Sequence, residues 1–577
     1  MTTNKLLSYP TLNWDENRIP EGKVIACDTE TTGLNTYKGD RAFLFSFANE
    51  EGDVTVVPRT LENKEMLETF FADTSITKIF HNSKFDMKMC RKSGFPVKGR
   101  VEDTLVMSRL VDENSIMHKL KYLCKKYFDY KAVEDEQMDA YKKKNKIKTY
   151  EEIPTDILYP YAAVDAWNCM LLYHLFKEPI SDMRKAYALD MNCVRYSMEV
   201  EDKGVLINKA RATEIWKEEK ADFDAIQKDL KKRTGIKLDP DNKRLLGYAL
   251  FAAGEKCIKL SDKGEPVLDK KTLPKYKADF VPDFIEMKKK NKSAKEIKAQ
   301  IIDNVDAAHV LHSNFNISMA RTRRASSSQP NFQNINKKSK IREIFVCRPG
   351  HNLFYFDYSQ IEYRLFAHFG RDAELIKGYC EGDLDAHDLT ARRLKVDRDD
   401  IAKTLNFAVL YGSGANGLVD LLNKPYTFCL DLIQKFHAAN PSLEELKYRL
   451  EVELLDKGYI EDPYGMHYHV LTDDIFKIVN TLIQGCAGSV LKKAKLNCRK
   501  LLKNHSAYMV GEIHDELIFE VPHNKEHIVP LIKEAMEDTT LEMFDIPLTV
   551  SVEYTKTNWG AKEEYPLEEM KKVMVPW

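Results

Sequence analysis

Residues 351–370 read HNLFYFDYSQIEYRLFAHFG. Leu353–Phe356 is an apolar run, Asp357 closes it, and the residues beyond turn helical. This is a strand–turn–helix signal with a carboxylate at the strand's end. Further along, residues 509–521 read MVGEIHDELIFEV. The pattern predicts a hairpin with a tight turn near His514-Asp515, and LTVSVEY at 548–554 is strand-like. An acid at a strand end and another in a hairpin turn can converge on one metal pair when the strands are neighbours. Taken singly, each is also ordinary turn chemistry, because Asp favours turns.

Between these strands the chain is largely helical, and RDDIAKTLNFAVLYG at 398–412 stands out. Lys403, Phe407 and Tyr411 recur every four residues, so they form a stripe on one helix face. Such a stripe is commonly core packing. A Lys within it argues otherwise, since an unpaired Lys is rarely buried.

The N-terminal part carries a second set of acids. KVIAC at 23–27 reads as a buried strand, and 41–58 (RAFLFSFANEEGDVTVVP) as two strands around a turn at Glu51-Gly52. Ile79-Phe80 looks like another strand end, and the pattern is helical from about 100 to 180, an α/β or α+β unit. Asp28 and Glu30 in CDTETTGL alternate on extended chain and share a face. Asn82 and Asp86 are four apart, as are Tyr161 and Asp165, and each pair is expected on one helical face. Hard oxygen ligands of this kind suit magnesium. Two such ions can activate a water and stabilise a leaving oxygen. Asp103 lies in the same region, in EDTLVMSRL, and is assigned no metal.

A chain of 577 residues exceeds one hydrophobic core and should hold roughly three to four units. The net charge of −1 excludes a simple basic nucleic-acid coat. Charge is segregated, however: Arg321 to Arg342 holds seven Lys or Arg and no acid. Residues 183–310 read as Lys-rich and helical, with a turn-rich interruption from Thr234 to Leu273. Ten Lys against five acids in 267–300 fit a solvated face or an arm that touches a phosphate backbone. Eleven Cys without a CxxC pair suggest no zinc site and fit a reducing cytosol. With no signal-like or membrane-length apolar run, a soluble, cytoplasmic protein is expected.

In order, DYSQIE with Arg364, then KxxxFxxxYG, then HDE resemble motifs A, B and C of the family A (bacterial polymerase I-like) DNA polymerases, over most of residues 310–560. SSSQPNFQNI at 326–335 resembles the family's template–primer segment, and GDLDAHDLTA at 382–391 and Gln484-Gly485 also match. The N-terminal acids resemble the DEDDy branch of 3′→5′ exonucleases.

The resemblance implies a ribonuclease H-like exonuclease domain followed by a right-hand polymerase. Its expected divisions are 1–182 exonuclease, 183–310 thumb and linking helices, 311–375 palm, 376–484 fingers and 485–577 palm again. It implies that Asp28, Glu30, Asp86 and Asp165 hold two Mg2+, with Tyr161 orienting the water. It implies that Asp357, Asp515 and the Tyr358 carbonyl hold two more, Mn2+ being able to substitute, with Glu516 an accessory acid. Glu362 would exclude a ribose 2′-OH. Lys403 would bind the triphosphate and protonate the leaving pyrophosphate. Gln360, His387, Arg398, Phe407 and Tyr411 would also contact the nucleotide, and Phe407 predicts discrimination against dideoxynucleotides. Arg324, Asn331, Gln333, Asn334, Arg342, Gln484 and His514 would face the primer–template.

The family carries an Arg four residues before the motif B Lys. Here that place is Asp399, and Arg398 stands one residue earlier. A helix advances about 100° per residue, so Arg398 is expected to need a local distortion to reach a phosphate. The expected partners are primer–template DNA and dNTPs, with a processivity factor or other replisome proteins in addition, and the chain is expected to be a monomer. The short lead before residue 23 is expected to leave no room for a 5′ nuclease domain, an arrangement similar to bacteriophage members.

Overall fold

In a computed structural model the chain is described over residues 12–335, 339–382, 384–538 and 543–567. The side chain of Asn334 lies outside what is described, as do Lys337 and Lys338 of the basic run and Asp383.

The N-terminal unit is built on a mixed six-stranded sheet: β1 (Trp14–Glu16), β2 (Val24–Thr31), β3 (Ala42–Asn49), β4 (Val54–Pro58), β5 (Thr77–Phe80) and β6 (Val101–Asp103), in the order β1-β4-β3-β2-β5-β6. β2 runs antiparallel to β3 and parallel to β5. It is covered on both faces, which is why KVIAC is a continuous apolar run rather than an alternating one. The expected turn at Glu51-Gly52 joins β3 to β4, with Gly52 at φ 97. The long helix Thr155–Asp182 packs across β2 and β3. Its buried Ala162, Ala163 and Ala166 keep the two backbones close, and that brings Tyr161 and Asp165 to the acids of β2.

A second, wholly antiparallel sheet comprises β7 (His351–Tyr358), β8 (Tyr508–Ile513), β9 (Glu516–Pro522), β10 (Val550–Thr555) and β11 (Glu563–Glu564), in the order β8-β9-β7-β10-β11. β7 lies in the middle, and Phe354 and Phe356 are fully buried on it. The two helices behind this sheet, Arg184–Lys203 and Ile478–Leu502, pack against each other. They are pinned by the fully buried Asp190, which accepts from Lys492 Nζ at 2.7 Å and pairs with Arg323. Burial pulls the Lys492 pKa down to about 8 against the opposing pull of Asp190.

The helices Lys209–Thr234 and Val281–Glu296 form an arm with a core of its own, including Leu230, Leu246, Leu268, Phe280, Phe284 and Met287. The interruption expected between Thr234 and Leu273 is not all turn. It contains the helix Lys243–Ala252, started by Asn242, whose side chain accepts from Arg244 N and Leu245 N. Asn is a strong helix N-cap, and that signal outweighs the surrounding turn residues. Among the described residues no helix is long and apolar enough to cross a membrane, and the eleven cysteines are free.

Candidate active sites

In the first sheet, carboxylate oxygens of Asp28, Glu30 and Asp165 lie within 4.8 Å of one another. Burial drives all three pKa values up. Asp28 is pushed to about 6 and Asp165 to about 7, while Glu30 is raised further by its two acidic neighbours. Asp86 is also buried and raised, first by desolvation and then by Asp28. It stands outside the tight cluster, accepting from Thr29 Oγ1 at 2.7 Å. A set of hard, crowded, desolvated oxygens is what a divalent cation neutralises best, so these residues fit a metal ion.

The expected pairing of Asn82 with Asp86 on one helix face does not occur. Asn82 is left-handed at φ 76 and precedes the helix Ser83–Lys92. The reason is Asp103, which accepts from Asn82 N at 3.0 Å and Ser83 N at 2.7 Å and so fixes where the helix begins. Asp103 is thereby a structural acid of this site.

Lys121 completes the site from outside the sequence motifs. Its Nζ is 3.1 Å from Asp165 Oδ1, pairs also with Asp135, and lies 3.4 Å from the centre of the Tyr161 ring. It is the cation that offsets the acids and sets the ring of Tyr161, whose own pKa is raised by burial and then by Asp165. Lys121 lies far from the acids in sequence, and no spacing rule points to it.

In the second sheet, Asp357 at the end of β7 pairs directly with Glu516 of β9. The hairpin turn between β8 and β9 is His514-Asp515, with His514 at φ 56. The structure therefore brings Asp357 beside the turn that carries Asp515, as neighbouring strands require. Glu516 is bound by Lys562 at 2.8 Å, which also pairs with Glu553. The Tyr358 hydroxyl donates inward to Met536 O at 2.7 Å.

A cavity of about 530 Å³ opens above this turn. Asp515, His514, Gln360, Glu362, Arg324, His387, Lys403, Phe407 and Tyr411 are among the residues that line it. The expected stripe of motif B is real: Phe407 and Tyr411 stack with ring centres 6.1 Å apart. Glu362 is nearly buried, accepting from Tyr411 Oη at 2.8 Å and pairing with Arg324. Gln484, on the helix Ile478–Leu502, hydrogen-bonds the same Tyr411 side chain. Gln360 Oε1 accepts from Tyr379 Oη and Ala386 N, so it braces the wall.

His387 is oriented by Asn406, a residue outside the motif B stripe. Asn406 is fully buried, and its Nδ2 donates to His387 Nδ1 at 2.9 Å and to Ala386 O at 3.2 Å. The ring proton of the neutral His387 therefore sits on Nε2. The clue was available, since Asn406 is an amide in the otherwise apolar run LNFAVL.

The remaining expected contact residues are placed less openly. Arg398 is held by Asp385, Asp388 and Asp399. Asn331 caps its own loop, accepting from Gln333 N, and Gln333 Nε2 donates to Ala325 O. Arg342 departs most from expectation. It is buried, its guanidinium lies 4.0 Å from the centre of the Trp559 ring, and it donates to Ile335 O. Packing on the indole turns it into the protein rather than toward a ligand.

The model of DNA polymerase family A matches residues 209–561, and that of a 3′–5′ exonuclease matches residues 15–181. Among curated relatives, DNA polymerase I of Pseudomonas aeruginosa is 24% identical, over 94% of this chain and 64% of that protein. DNA polymerase I of Geobacillus stearothermophilus is 25% identical, over 90% and 62%. DNA polymerase DpoZ of Salmonella phage PMBT28 is 23% identical, over 94% and 97%. The chain thus spans less than two thirds of the length of these bacterial relatives. The POL domain of Pol1 from M. smegmatis, solved in complex with DNA primer-template and dNTP, superposes with a TM-score of 0.76 at 21% identity, over 94% of this chain and 96% of that one; this likeness carries the fold. With the family's model matching well over half its length, the chain belongs to DNA polymerase family A.

Proposed function

We propose that this chain extends a primer 3′ end with dNTPs on a DNA template and trims the same end in the 3′→5′ direction. The observation that carries the reading is the convergence of Glu362, His387, Lys403, Phe407 and Asp515, from four separate segments, on one cavity. A second, separate acid cluster accompanies it.

In synthesis the primer 3′-oxygen forms a bond to the α-phosphorus, and the bond from that phosphorus to the pyrophosphate oxygen breaks. Asp357, Asp515 and the Tyr358 carbonyl would hold Mg2+ there, and Asp28, Glu30, Asp165 and Asp86 would hold it in the exonuclease. Mg2+, or Mn2+ in its place, supplies charge neutralisation and a more acidic attacking hydroxyl or water. His387 offers its Nε2–H to the triphosphate. Lys403 gives a proton to the departing pyrophosphate. Phe407 and Tyr411 stack beneath the sugar and base, and Glu362 fills the space a 2′-OH would need. In trimming, Tyr161 orients the water. Arg324, Gln484 and His514 are the contacts proposed for the primer–template, as a monomer in the cytoplasm. The five-part division implied by the resemblance belongs to this proposal, and the break between helices Thr155–Asp182 and Arg184–Lys203 supports its first boundary.

One labelled primer–template, incubated with Mg2+ and with or without dNTPs, tests both halves. Wild type is expected to extend with dNTPs and shorten without them. Asp515→Ala should lose extension and keep shortening, and Asp28→Ala the reverse. A wild type that shortens but never extends overturns the polymerase reading.

A further inference from the structure

Arg398 stands five residues before Lys403, and Asp399 occupies the fourth place. The chain between them is not α-helical. Arg398–Ala402 forms a π-turn, in which Ala402 N donates to Asp397 O at 2.9 Å and Lys403 N donates to Arg398 O. The α-helix resumes at Lys403. A π-turn closes i to i+5 where an α-turn closes i to i+4, so it absorbs one extra residue without rotating the helix beyond it. The fifth residue back then stands where the fourth would in an α-helix, on the face of Lys403.

The side chain of Arg398 is gripped at this place. Its Nε lies 2.8 Å from Asp388 Oδ1, and its two terminal nitrogens pair with Asp385 and Asp399. Asp385 and Asp388 lie on either side of His387, at the start of the helix Ala386–Leu394. Burial lowers the pKa of His387 most. Asp385 opposes this, and Arg398 and Lys403 both add to it, so both cations are felt at the imidazole. The grip is in contact with solvent, with 40% of the Arg398 side chain and 54% of Asp388 exposed. Ion pairs of that exposure are individually weak. A polyphosphate presents several charges and accepts two parallel hydrogen bonds from a guanidinium.

We propose, resting on the polymerase reading above, that the π-turn Arg398–Ala402 corrects a one-residue shift in register, and that Asp385 and Asp388 form a latch from which an incoming triphosphate draws Arg398. The latch makes the release of Arg398 selective for charge. Triphosphates release it, and the monophosphate ends of DNA, which carry less charge, leave it closed.

Single-nucleotide incorporation kinetics on a primer–template test this, and digestion of single-stranded DNA by the same preparations reports folding, because Arg398 lies outside the exonuclease site. Arg398→Ala should raise the dNTP KM about tenfold or more, the loss expected for a charge-assisted contact. An unchanged KM overturns the proposal. Arg398→Ala/Asp399→Arg returns an Arg to the fourth place but leaves the π-turn, so the KM should stay raised; recovery to wild type overturns the register correction. Asp388→Asn loosens the latch and should lower the KM by roughly two- to threefold. A rise toward the Arg398→Ala value overturns the latch. If wild type incorporates nothing while digestion proceeds, it is the polymerase reading that fails.

Discussion

The crowded acids of the first sheet show what single residues cost before they work. Glu30 is held above its ordinary value of 4.5 by burial and by Asp28 and Asp165. A carboxyl raised in the fold is neutral in both folded and unfolded states well below its ordinary value. It carries a penalty once the unfolded chain ionises and the folded one resists. The penalty therefore grows as pH rises above about 4.5 and is full above the raised pKa. Glu30→Gln keeps the shape and removes the charge. In a chelating buffer at pH 8 it should raise the melting temperature by roughly 2–4 °C, with no gain at pH 4, while abolishing exonuclease activity. Scanning calorimetry at the two pH values checks the sign.

How far such residues can be read beforehand depends on spacing. Asp28 and Glu30 announce themselves because a strand has a period of two. Lys121 reaches the same acids from a distant helix by a fold-level approach, and only the packing of that helix reveals it. Asn406 sits between the two, visible as a polar residue in an apolar run but meaningful only once His387 is beside it.

Elements carry the next level. The hairpin 508–522 could be read because its turn and flanking apolar strands are local. The π-turn could not, since it differs from an α-turn by one residue and only the misplaced Arg398 hints at it. The helix Ile478–Leu502 is informative in a different way. Gly485 belongs to a Gln-Gly pair that matches the family, and the structure supplies a physical reason for the glycine. A Cβ there would meet the Tyr468 phenol at 2.3 Å. Tyr468 is buried and donates to Asp462, which also accepts from Ser489 on the same helix. Gly485→Ala must push the ring off this network. The expected loss is about 1–3 kcal/mol, read from the urea midpoint. Nucleotide incorporation should fall with it, because Gln484 next door holds Tyr411.

At the scale of the whole molecule, Glu201 ties the helix that carries Asp86 to the strand Asn314–Asn316. It is fully buried on the helix Arg184–Lys203. One oxygen accepts from Lys84 Nζ at 2.6 Å and Phe315 N at 2.8 Å, and the other from Lys88 Nζ at 2.7 Å. Lys84 and Lys88 flank Asp86 on the helix Ser83–Lys92, and Phe315 lies on the strand paired with Ser326–Ser328, the start of the stretch that resembles the family's template–primer segment. Glu201→Ala takes the carboxylate from the buried Lys84 and the part-buried Lys88, a loss of about 3–5 kcal/mol in such settings. We expect digestion of single-stranded DNA to slow through the displaced Asp86 helix, with the dNTP KM unchanged. A variant that unfolds at the wild-type urea midpoint would refute this role.

The arm formed by Lys209–Thr234 and Val281–Glu296 is organised on another plan. Its apolar core is separate from the one beneath the two sheets. Within it the chain doubles back through an exposed turn, where Gly264 N donates to Ser261 O and Ser261 N to Glu265 O. Lengthening such a turn costs only loop closure, about 0.6 kcal/mol for each doubling of its length. The arm is thus a place for grafting: a foreign DNA-gripping module spliced at Lys263-Gly264 should lengthen the stay on DNA and leave the two proposed activities as they are.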